Sequence, residues 1–271
     1  MTALVLTKLH GIGNDFLVVL DPPAGLEGRG AELARALCDR HRGIGADGLV
    51  FSGEVTDPAP APGDALTFRL WNADGSDAEV SGNGLRCLAH AALDAGLVGE
   101  GSEFGIATPA GSRQVRITRK SPGLTWASVD MGVVKVQGEA DRCNIGHGQL
   151  LVDVGNPHLV VLGPDPATMD VASLGPLLES TDPAGLNVEF VTLGPGVDEV
   201  TMRVWERGVG ETEACGSGSC AVAAAFHHWG RTGPSVTVHQ PGGSVAVELR
   251  PDGTAVLSGT SERIADCTVE I

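Results

Sequence analysis

The sequence predicts an α+β protein made of two similar mixed β units, each wrapped around a central helix. Three observations support this fold class. The two halves of the chain carry the same motifs in the same order, short β-branched runs outnumber helical segments, and two Ala-rich segments are too apolar for surface helices. With 271 residues, the chain is long enough for two units that each have a core.

The internal repeat rests on matching segments at a nearly constant offset. The matching pairs are GNDFLVVL at 13–20 with GNPHLVVL at 155–162, RLW at 69–71 with RVW at 203–205, SGNG at 81–84 with CGSG at 215–218, and, more weakly, DGLVF at 47–51 with NVEFV at 187–191. Generic similarity between strand–turn–helix segments is the alternative explanation. Three good matches in register favour a duplicated unit of about 130 residues.

Local patterns predict the individual elements. The predicted strands are LTKLH, FLVVL, GLVFS, TFRLW, QVRITR, ASVDM, LLVDV, HLVVL, VEFVTL, VTMRVW, SVTVH, VAVEL and AVLSG. Helices are predicted at 30–40, 85–96, 171–179 and 217–229, and a Pro-rich loop at 57–64. The repeat predicts an N-terminal half at 1–122, which the C-terminal strand 262–271 could complete, and a C-terminal half at 123–261.

Composition restricts the class of partner. Eighteen Lys and Arg against 34 Asp and Glu give a formal charge of −16, which disfavours nucleic acid and anionic membranes as partners. No targeting segment or membrane span is recognisable. Six dispersed cysteines indicate a reduced, cytoplasmic protein, and the isolated Cys38-x-x-His41 pair is too little for a zinc site, so no metal is expected.

The two Gly-rich turns are the best candidates for a functional site. Ser81 and Cys215 each precede Gly-x-Gly at the start of an apolar helix, where backbone N–H groups attract anions. The same field lowers the pKa of a thiol, so Cys215 is a candidate thiolate; a buried structural cysteine is the alternative. Cys87 and Cys220 lie inside these helices, and we expect them to be structural.

No cofactor is expected. GIGADG at 43–48 and GSGSCA at 216–221 resemble dinucleotide-binding fingerprints, but neither stands in the required strand–turn–helix context. Only three lysines are present, and nothing around them suggests a Schiff base with pyridoxal phosphate.

Seven motifs together resemble the diaminopimelate epimerase family. They are GIGNDF at 11–16, RGIGADG at 42–48, NADGS at 72–76, SGNGLRC at 81–87, GNPH at 155–158, ERGVGET at 206–212 and ACGSGSCA at 214–221. The resemblance implies two pseudo-symmetric mixed β-barrel domains, each around a central helix, with the site in the interdomain cleft. It also implies a homodimer and cofactor-independent interconversion of L,L- and meso-diaminopimelate by two acid/base groups, one for each face of the α-carbon.

The resemblance carries roles onto individual residues. It implies that Cys215 is one catalytic thiol and that His158 and Glu206 assist proton movement. The backbone amides of Gly82, Asn83, Gly216 and Ser217 would hold the reacting carboxylate. The distal amino-acid end would be held by Asn14, Asn72, Asn156, Asn187 and Arg207, with Glu206 also near the substrate. For the asparagines, turn formation is the alternative role.

Ser81 departs from the family pattern, which has the first catalytic cysteine at this position. The internal repeat leads to the same conclusion, because it aligns Ser81 with Cys215. A serine hydroxyl is a far weaker acid than a thiol and needs a strong adjacent base. An engineered substitution, a slow natural variant and one-base chemistry are the three explanations. A catalytically dead diaminopimelate-binding protein and a one-base lyase or dehydratase are therefore the alternatives to an active epimerase.

Overall fold

The computed structural model describes residues 3–55, 61 and 63–271, so residues 57–60 and 62 of the predicted Pro-rich loop lie outside the described residues. The chain forms two compact units. Unit 1 comprises residues 1–129 and 259–271, and unit 2 comprises residues 130–258. The domain boundaries inferred from the repeat, 122/123 and 261/262, stay a prediction.

In its described residues, unit 1 is a mixed β structure with two α-helices. Its strands are β1 (Ala3–Gly11), β2 (Asn14–Leu20), β3 (Gly48–Ser52), β4 (Asp64–Thr67), β5 (Arg69–Asn72), β6 (Asp77–Ala78), β7 (Glu103–Thr108), β8 (Gly111–Ser121) and the first part of β9 (Leu124–Val133); its helices are α1 (Gly30–Leu37) and α2 (Gly82–Asp94). Strands β2–β3 and β4–β7 pair in parallel, whereas β1–β2, β3–β5, β5–β6, β7–β8 and β8–β9 are antiparallel.

Unit 2 has the same plan. Its strands are β10 (Lys135–Glu139), β11 (Gly148–Asp153), β12 (Pro157–Leu162), β13 (Asn187–Leu193), β14 (Glu199–Glu206), β15 (Gly210–Thr212), β16 (Ser235–Gln240), β17 (Gly243–Leu249) and the start of β18 (Thr254–Glu270); its helices are α3 (Val171–Glu179) and α4 (Gly216–His228). Strands β12–β13 and β14–β16 are parallel, and the other pairs are antiparallel. The remainder of β18 pairs with β1 inside unit 1.

A buried helix lies at the centre of each unit, as the Ala-rich segments predict. Helix α2 contacts β1, β2, β3 and β8, and helix α4 contacts β10 to β14, β16 and β17. Both helices end in the same way, because Gly96 and Gly230 follow them with φ of 75° and 65°, a conformation that costs glycine little. No described helix is long and apolar enough to cross a membrane.

The strand register corrects the weakest of the repeat matches by one residue. Leu17 pairs with Leu49 in unit 1, and Leu159 pairs with Val188 in unit 2. Glu189 is therefore the counterpart of Val50, not of Leu49. The shift matters because a slip of one residue moves a side chain to the opposite face of the sheet.

Each predicted strand overlaps a strand of the structure, with local differences. The strand expected at 67–71 is divided, since β4 ends at Thr67 and β5 begins at Arg69. The sequence patterns did not reveal β6, β7, β10 or β15. Two of these, β6 and β15, are only two and three residues long and form through pairing with a neighbouring strand, so they carry no alternation of their own.

Candidate active site

Ser81 and Cys215 occupy equivalent backbone positions in the two units. Ser81 is the N-cap of α2, with φ −141° and ψ 119°, and its side chain accepts a hydrogen bond from the Gly84 N–H at 3.1 Å. Cys215 is the N-cap of α4, with φ −127° and ψ 118°, and its sulfur accepts from the Gly218 N–H at 3.3 Å. Each side chain thus lies at the positive end of a buried helix.

The first-turn amides provide an anion cradle in each unit. The N–H groups of Gly82 and Asn83 in α2, and of Gly216 and Ser217 in α4, are too near the helix start to have intrahelical partners. Within the described residues, no side chain accepts a hydrogen bond from any of them. Such amides can bind a carboxylate, as the sequence predicts.

The Cys215 thiol is buried beside carboxylates. Its residue is 4% exposed, its backbone N–H donates to Gln240 Oε1 at 2.7 Å, and its sulfur lies 3.5 Å from Ser217 Oγ. Burial, followed by the negative charges of Glu206 and Glu189, raises the pKa of Cys215 well above its usual value. The expectation of a lowered thiol pKa is therefore wrong for the protein without substrate, because desolvation and two carboxylates outweigh the helix N-terminus.

Glu206 is the carboxylate that hydrogen-bonds to this thiol. It ends β14, and its Oε1 accepts a hydrogen bond from Thr212 Oγ1. Burial is the largest influence and raises the pKa of Glu206, whereas hydrogen bonds from Thr212 and Cys215 lower it in part. A buried thiol and a half-buried carboxyl group in contact can share a proton, since two adjacent negative charges are unfavourable there.

His158 lies between two side-chain partners. Its Nδ1 is 2.6 Å from Glu189 Oε1, and its Nε2 is 2.9 Å from Asn156 Oδ1. Both His158 and Glu189 are fully buried. Because both ring nitrogens are engaged, the geometry favours a positioning role for His158 over direct proton exchange with a thiol.

Asn187 and Arg207 shape the turn after β14. Asn187 donates through Nδ2 to the Pro157 carbonyl at 3.1 Å and accepts from the Arg207 N–H at 3.0 Å. The Arg207 guanidinium is exposed and donates to the Ala184 carbonyl at 3.1 Å. The two hydrogen bonds of Asn187 therefore fix the backbone of the turn at Arg207. The charged end of Arg207 remains within reach of a ligand.

In unit 1, Asn14 and Asn83 belong to one hydrogen-bonded chain. Asn14 donates to Asp47 Oδ2 at 2.7 Å and accepts from Asn83 Nδ2 at 3.1 Å, and Arg86 donates to Asn83 Oδ1 at 2.7 Å. The chain fixes the orientation of both amides next to the start of α2. Asn72 instead donates to Ser76 Oγ at 3.0 Å, in the turn that connects β5 and β6.

The structure thus brings the predicted residues together in two groups. Unit 2 gathers Cys215, Glu206, His158, Asn156 and Asn187, and unit 1 gathers Ser81, Asn83 and Asn14. Sequence reasoning missed Glu189, Gln240 and Asp47. Of these, only Glu189 carried a signal, as a lone charge in the apolar run NVEFVTL.

Cys87, inside helix α2 of unit 1, has different surroundings from Cys215. Cys87 is fully buried, and its sulfur accepts from Ser261 Oγ at 3.7 Å. Burial raises the pKa of Cys87 to about 12. These contacts fit the structural role that the sequence predicts. Among the described residues, no group of three or more His, Cys, Asp or Glu could hold a metal ion.

Comparison with known proteins agrees with the family resemblance of the sequence motifs. A profile described as diaminopimelate epimerase matches residues 6–137 and 150–264. A diaminopimelate epimerase of Desulforudis audaxviator is 39% identical over 278 residues, covering 96% of this chain and 97% of its own. That of Corynebacterium glutamicum is 40% identical and covers 97% of each chain, and that of Synechococcus elongatus is 36% identical and covers 99% of each.

Solved structures share the fold at low sequence identity. A Bacillus anthracis phenazine biosynthesis protein of the PhzF family has a TM-score of 0.74 at 16% identity, with 100% of both chains covered. A hydroxyproline epimerase from Agrobacterium vitis has a TM-score of 0.74 at 18% identity, covering 98% of this chain and 92% of the other. The predicted α+β fold of two mixed β units, each around a central helix, is confirmed.

Proposed function

Because the chain belongs to the diaminopimelate epimerase family, we propose that it interconverts L,L- and meso-diaminopimelate, in the synthesis of lysine and peptidoglycan precursors. Family membership makes the protein an amino-acid epimerase, which is an isomerase. The observation that supports this substrate and chemistry best is Cys215, a thiol held at a helix N-terminus beside Glu206.

Inversion at the α-carbon determines what the site has to supply. One group removes the α-proton from one face, and a second group donates a proton to the opposite face. The planar intermediate places negative charge on the α-carboxylate. Helix-end N–H groups stabilise that charge, and we assign this role to Gly82, Asn83, Gly216 and Ser217.

We assign acid/base work at one face to Cys215, with Glu206 as its proton partner. The raised pKa of Cys215 means that the resting protein holds a thiol, which can donate a proton. The cationic α-ammonium group of an amino acid would favour the thiolate when it binds nearby, because an opposite charge stabilises the ionised form. Glu206, whose pKa is also raised, can accept the released proton.

Ser81 stands where the second acid/base group is required. Its hydroxyl accepts the Gly84 N–H, as the sulfur of Cys215 accepts that of Gly218, but no carboxylate or imidazole hydrogen-bonds to it among the described residues. Without such a base, the hydroxyl remains protonated near neutral pH. We therefore propose that this chain binds the substrate but inverts it slowly.

We assign recognition of the distal amino-acid end to five polar side chains, two in unit 1 and three in unit 2. A second ammonium and carboxylate pair would satisfy these amide and guanidinium groups, which a shorter amino acid would leave unpaired. The assigned residues are Asn14, Asn72, Asn156, Asn187 and Arg207.

Hydrogen exchange at the α-carbon tests the proposed function. L,L- and meso-diaminopimelate are incubated separately with the protein in D2O and then analysed by NMR and chiral chromatography. We expect slow inversion of both isomers, with deuterium at the α-carbon of the inverted product. Uptake without inversion from only one isomer would favour one-base chemistry, and binding without uptake would favour a binding protein. Absence of binding would contradict the proposal.

Ser81→Cys is the decisive variant in the same assay. The new sulfur would take the same N-cap position as Cys215, so the fold should be kept while a titratable acid/base group is gained. We expect epimerisation to rise by orders of magnitude, and Cys215→Ser in the same background should abolish the gain. An unchanged rate in Ser81→Cys would show that Ser81 is not the defect.

We further propose that the protein acts in the cytoplasm as a homodimer. The six free cysteines are typical of a reducing compartment, and the family resemblance supports the dimer. Sedimentation equilibrium would measure the oligomeric state directly.

A further inference from the structure

A buried imidazole–carboxylate pair lies behind Cys215, and the proposed proton transfers do not use it. His158 on β12 and Glu189 on β13 are neighbours on parallel strands, and both are fully buried. Their 2.6 Å contact joins His158 Nδ1 to Glu189 Oε1. Burying a carboxylate is costly unless it is paired, so this pair needs an explanation.

The fold itself does not require a polar pair at this place. The strand register makes Phe16 the counterpart of His158 and Val50 the counterpart of Glu189. Both residues of unit 1 are apolar and buried, at 3% and 0% exposure. The same architecture is therefore stable with two hydrophobic side chains, and the polar pair is particular to the Cys215 side.

Helix α4 makes room for this carboxylate. A Cβ atom placed on Gly218 would lie 2.7 Å from Glu189 Oε1 and 3.2 Å from the Cys215 sulfur. Glu189 Oε1 and the thiol therefore flank the same glycine in the first turn of α4. Glu189 Oε2 is buried and has no hydrogen-bond partner among the described residues. The ionisable groups around Glu189 are His158, Cys215 and Glu206.

His158 transmits the orientation of Glu189 to a residue that a ligand can reach. One hydrogen lies between His158 Nδ1 and Glu189 Oε1 in their 2.6 Å contact. His158 Nε2 faces Asn156 Oδ1 at 2.9 Å, and because this oxygen can only accept, Nε2 is the donor. Asn156 is only half-buried, and its Nδ2 makes no hydrogen bond within the described part of the chain.

We propose that Glu189 is a positioning residue that, through His158, holds the Asn156 amide with Oδ1 towards the ring, so that Nδ2 faces the ligand as a donor to its carboxylate. The reverse orientation would present Oδ1 to a carboxylate oxygen, and two acceptors repel each other. The identity of that carboxylate as part of diaminopimelate rests on the proposed function. The orientation of Asn156 in the free protein does not.

The ring of His158 gives a test without substrate. Nitrogen-15 NMR of the full chain shows which ring nitrogen carries a hydrogen. The His158 signals are assigned by their loss in His158→Gln. We expect a hydrogen on Nε2 in the unmodified chain, because Nε2 donates to Asn156 Oδ1. A ring without a hydrogen on Nε2 would overturn the proposal.

Substrate binding gives the second test, as a double-mutant cycle. Glu189→Gln should weaken diaminopimelate binding about tenfold in the unmodified background, the effect expected for losing one hydrogen bond to a charged group. In an Asn156→Ala background, the same change should weaken binding less than about twofold, because Glu189 acts through Asn156. Equal losses in both backgrounds would show that Glu189 acts by another route.

Glu199→Gln is the matched control. Glu199 pairs with His239 Nε2 at 2.9 Å in the same unit, but this pair is partly exposed and lies on β14 and β16. Removing its charge should change neither the His158 ring signals nor binding. If the unmodified chain does not bind diaminopimelate, the proposed function fails, and the NMR measurement still decides how the Asn156 amide is oriented in the free protein.

Discussion

At the scale of single residues, two side chains in one backbone position differ in their chemistry. Ser81 and Cys215 both cap a central helix with nearly the same φ and ψ. Cys215 has carboxylates close enough to raise its pKa, and behind it lies the His158–Glu189 pair. In unit 1, the counterparts of that pair are the apolar residues Phe16 and Val50. The side chains that can act as acids or bases next to a helix N-cap are therefore concentrated in unit 2.

The raised pKa of Cys215 gives a prediction at this scale. The negative charge of Glu206 disfavours the thiolate, so Glu206→Gln should lower the pKa of Cys215. The rate of alkylation by iodoacetamide, measured against pH, should then rise at lower pH, with about a tenfold gain in thiolate for each unit of pKa.

Glu248→Gln is the control for this measurement, because Glu248 is an exposed carboxylate on β17 of the same unit. Its alkylation profile should match that of the unmodified chain. A profile in Glu206→Gln that stays unchanged, or moves to higher pH, would contradict the assignment of Glu206 as the group facing the thiol.

At the scale of elements, each unit packs a short helix against a tryptophan through a glycine. Gly30 in α1 lies against Trp71 of β5, and Gly175 in α3 lies against Trp205 of β14. In both places, an added Cβ would overlap the indole ring. This close approach explains why two helices of otherwise different sequence each have glycine there.

Gly175→Ala tests this packing. Helix propensity alone would make alanine stabilising, whereas the overlap with Trp205 should destabilise the protein by about 1–3 kcal/mol. Urea unfolding followed by tryptophan fluorescence would measure the difference. Gly233→Ala is the control, since the nearest atom to its new Cβ is Asp198 Oδ1 at 3.6 Å. A Gly175→Ala protein as stable as the unmodified chain would show that α3 shifts freely.

Sequence patterns predicted the elements better than their pairing. The four helices lie where apolar spacing and the Gly-rich turns indicate, because these signals are local. The partner of each strand depends on long-range contacts, and the repeat match of 47–51 with 187–191 was one residue out of register. That single residue decides whether Glu189 faces α4 and Cys215 or the opposite side.

At the scale of the whole molecule, the formal charge of −16 is the dominant electrostatic feature. Excess negative charge destabilises the compact state through self-repulsion, and salt screens it. Raising NaCl from about 10 mM to about 200 mM should therefore increase the Tm measured by calorimetry. Choline chloride at equal ionic strength should have the same effect. A falling Tm would mean that attractive ion pairs outweigh the repulsion.

The duplicated plan, the two helix-capping turns and the family follow from the amino-acid sequence alone, because repeats, caps and motifs are visible in the order of the residues. The state of the site depends on the tertiary structure. Burial and neighbouring charge make Cys215 a thiol of raised pKa, and strand register joins Glu189 to His158 and Asn156. Both depend on residues far apart in the chain, whose proximity arises only when the strands pair around the helix.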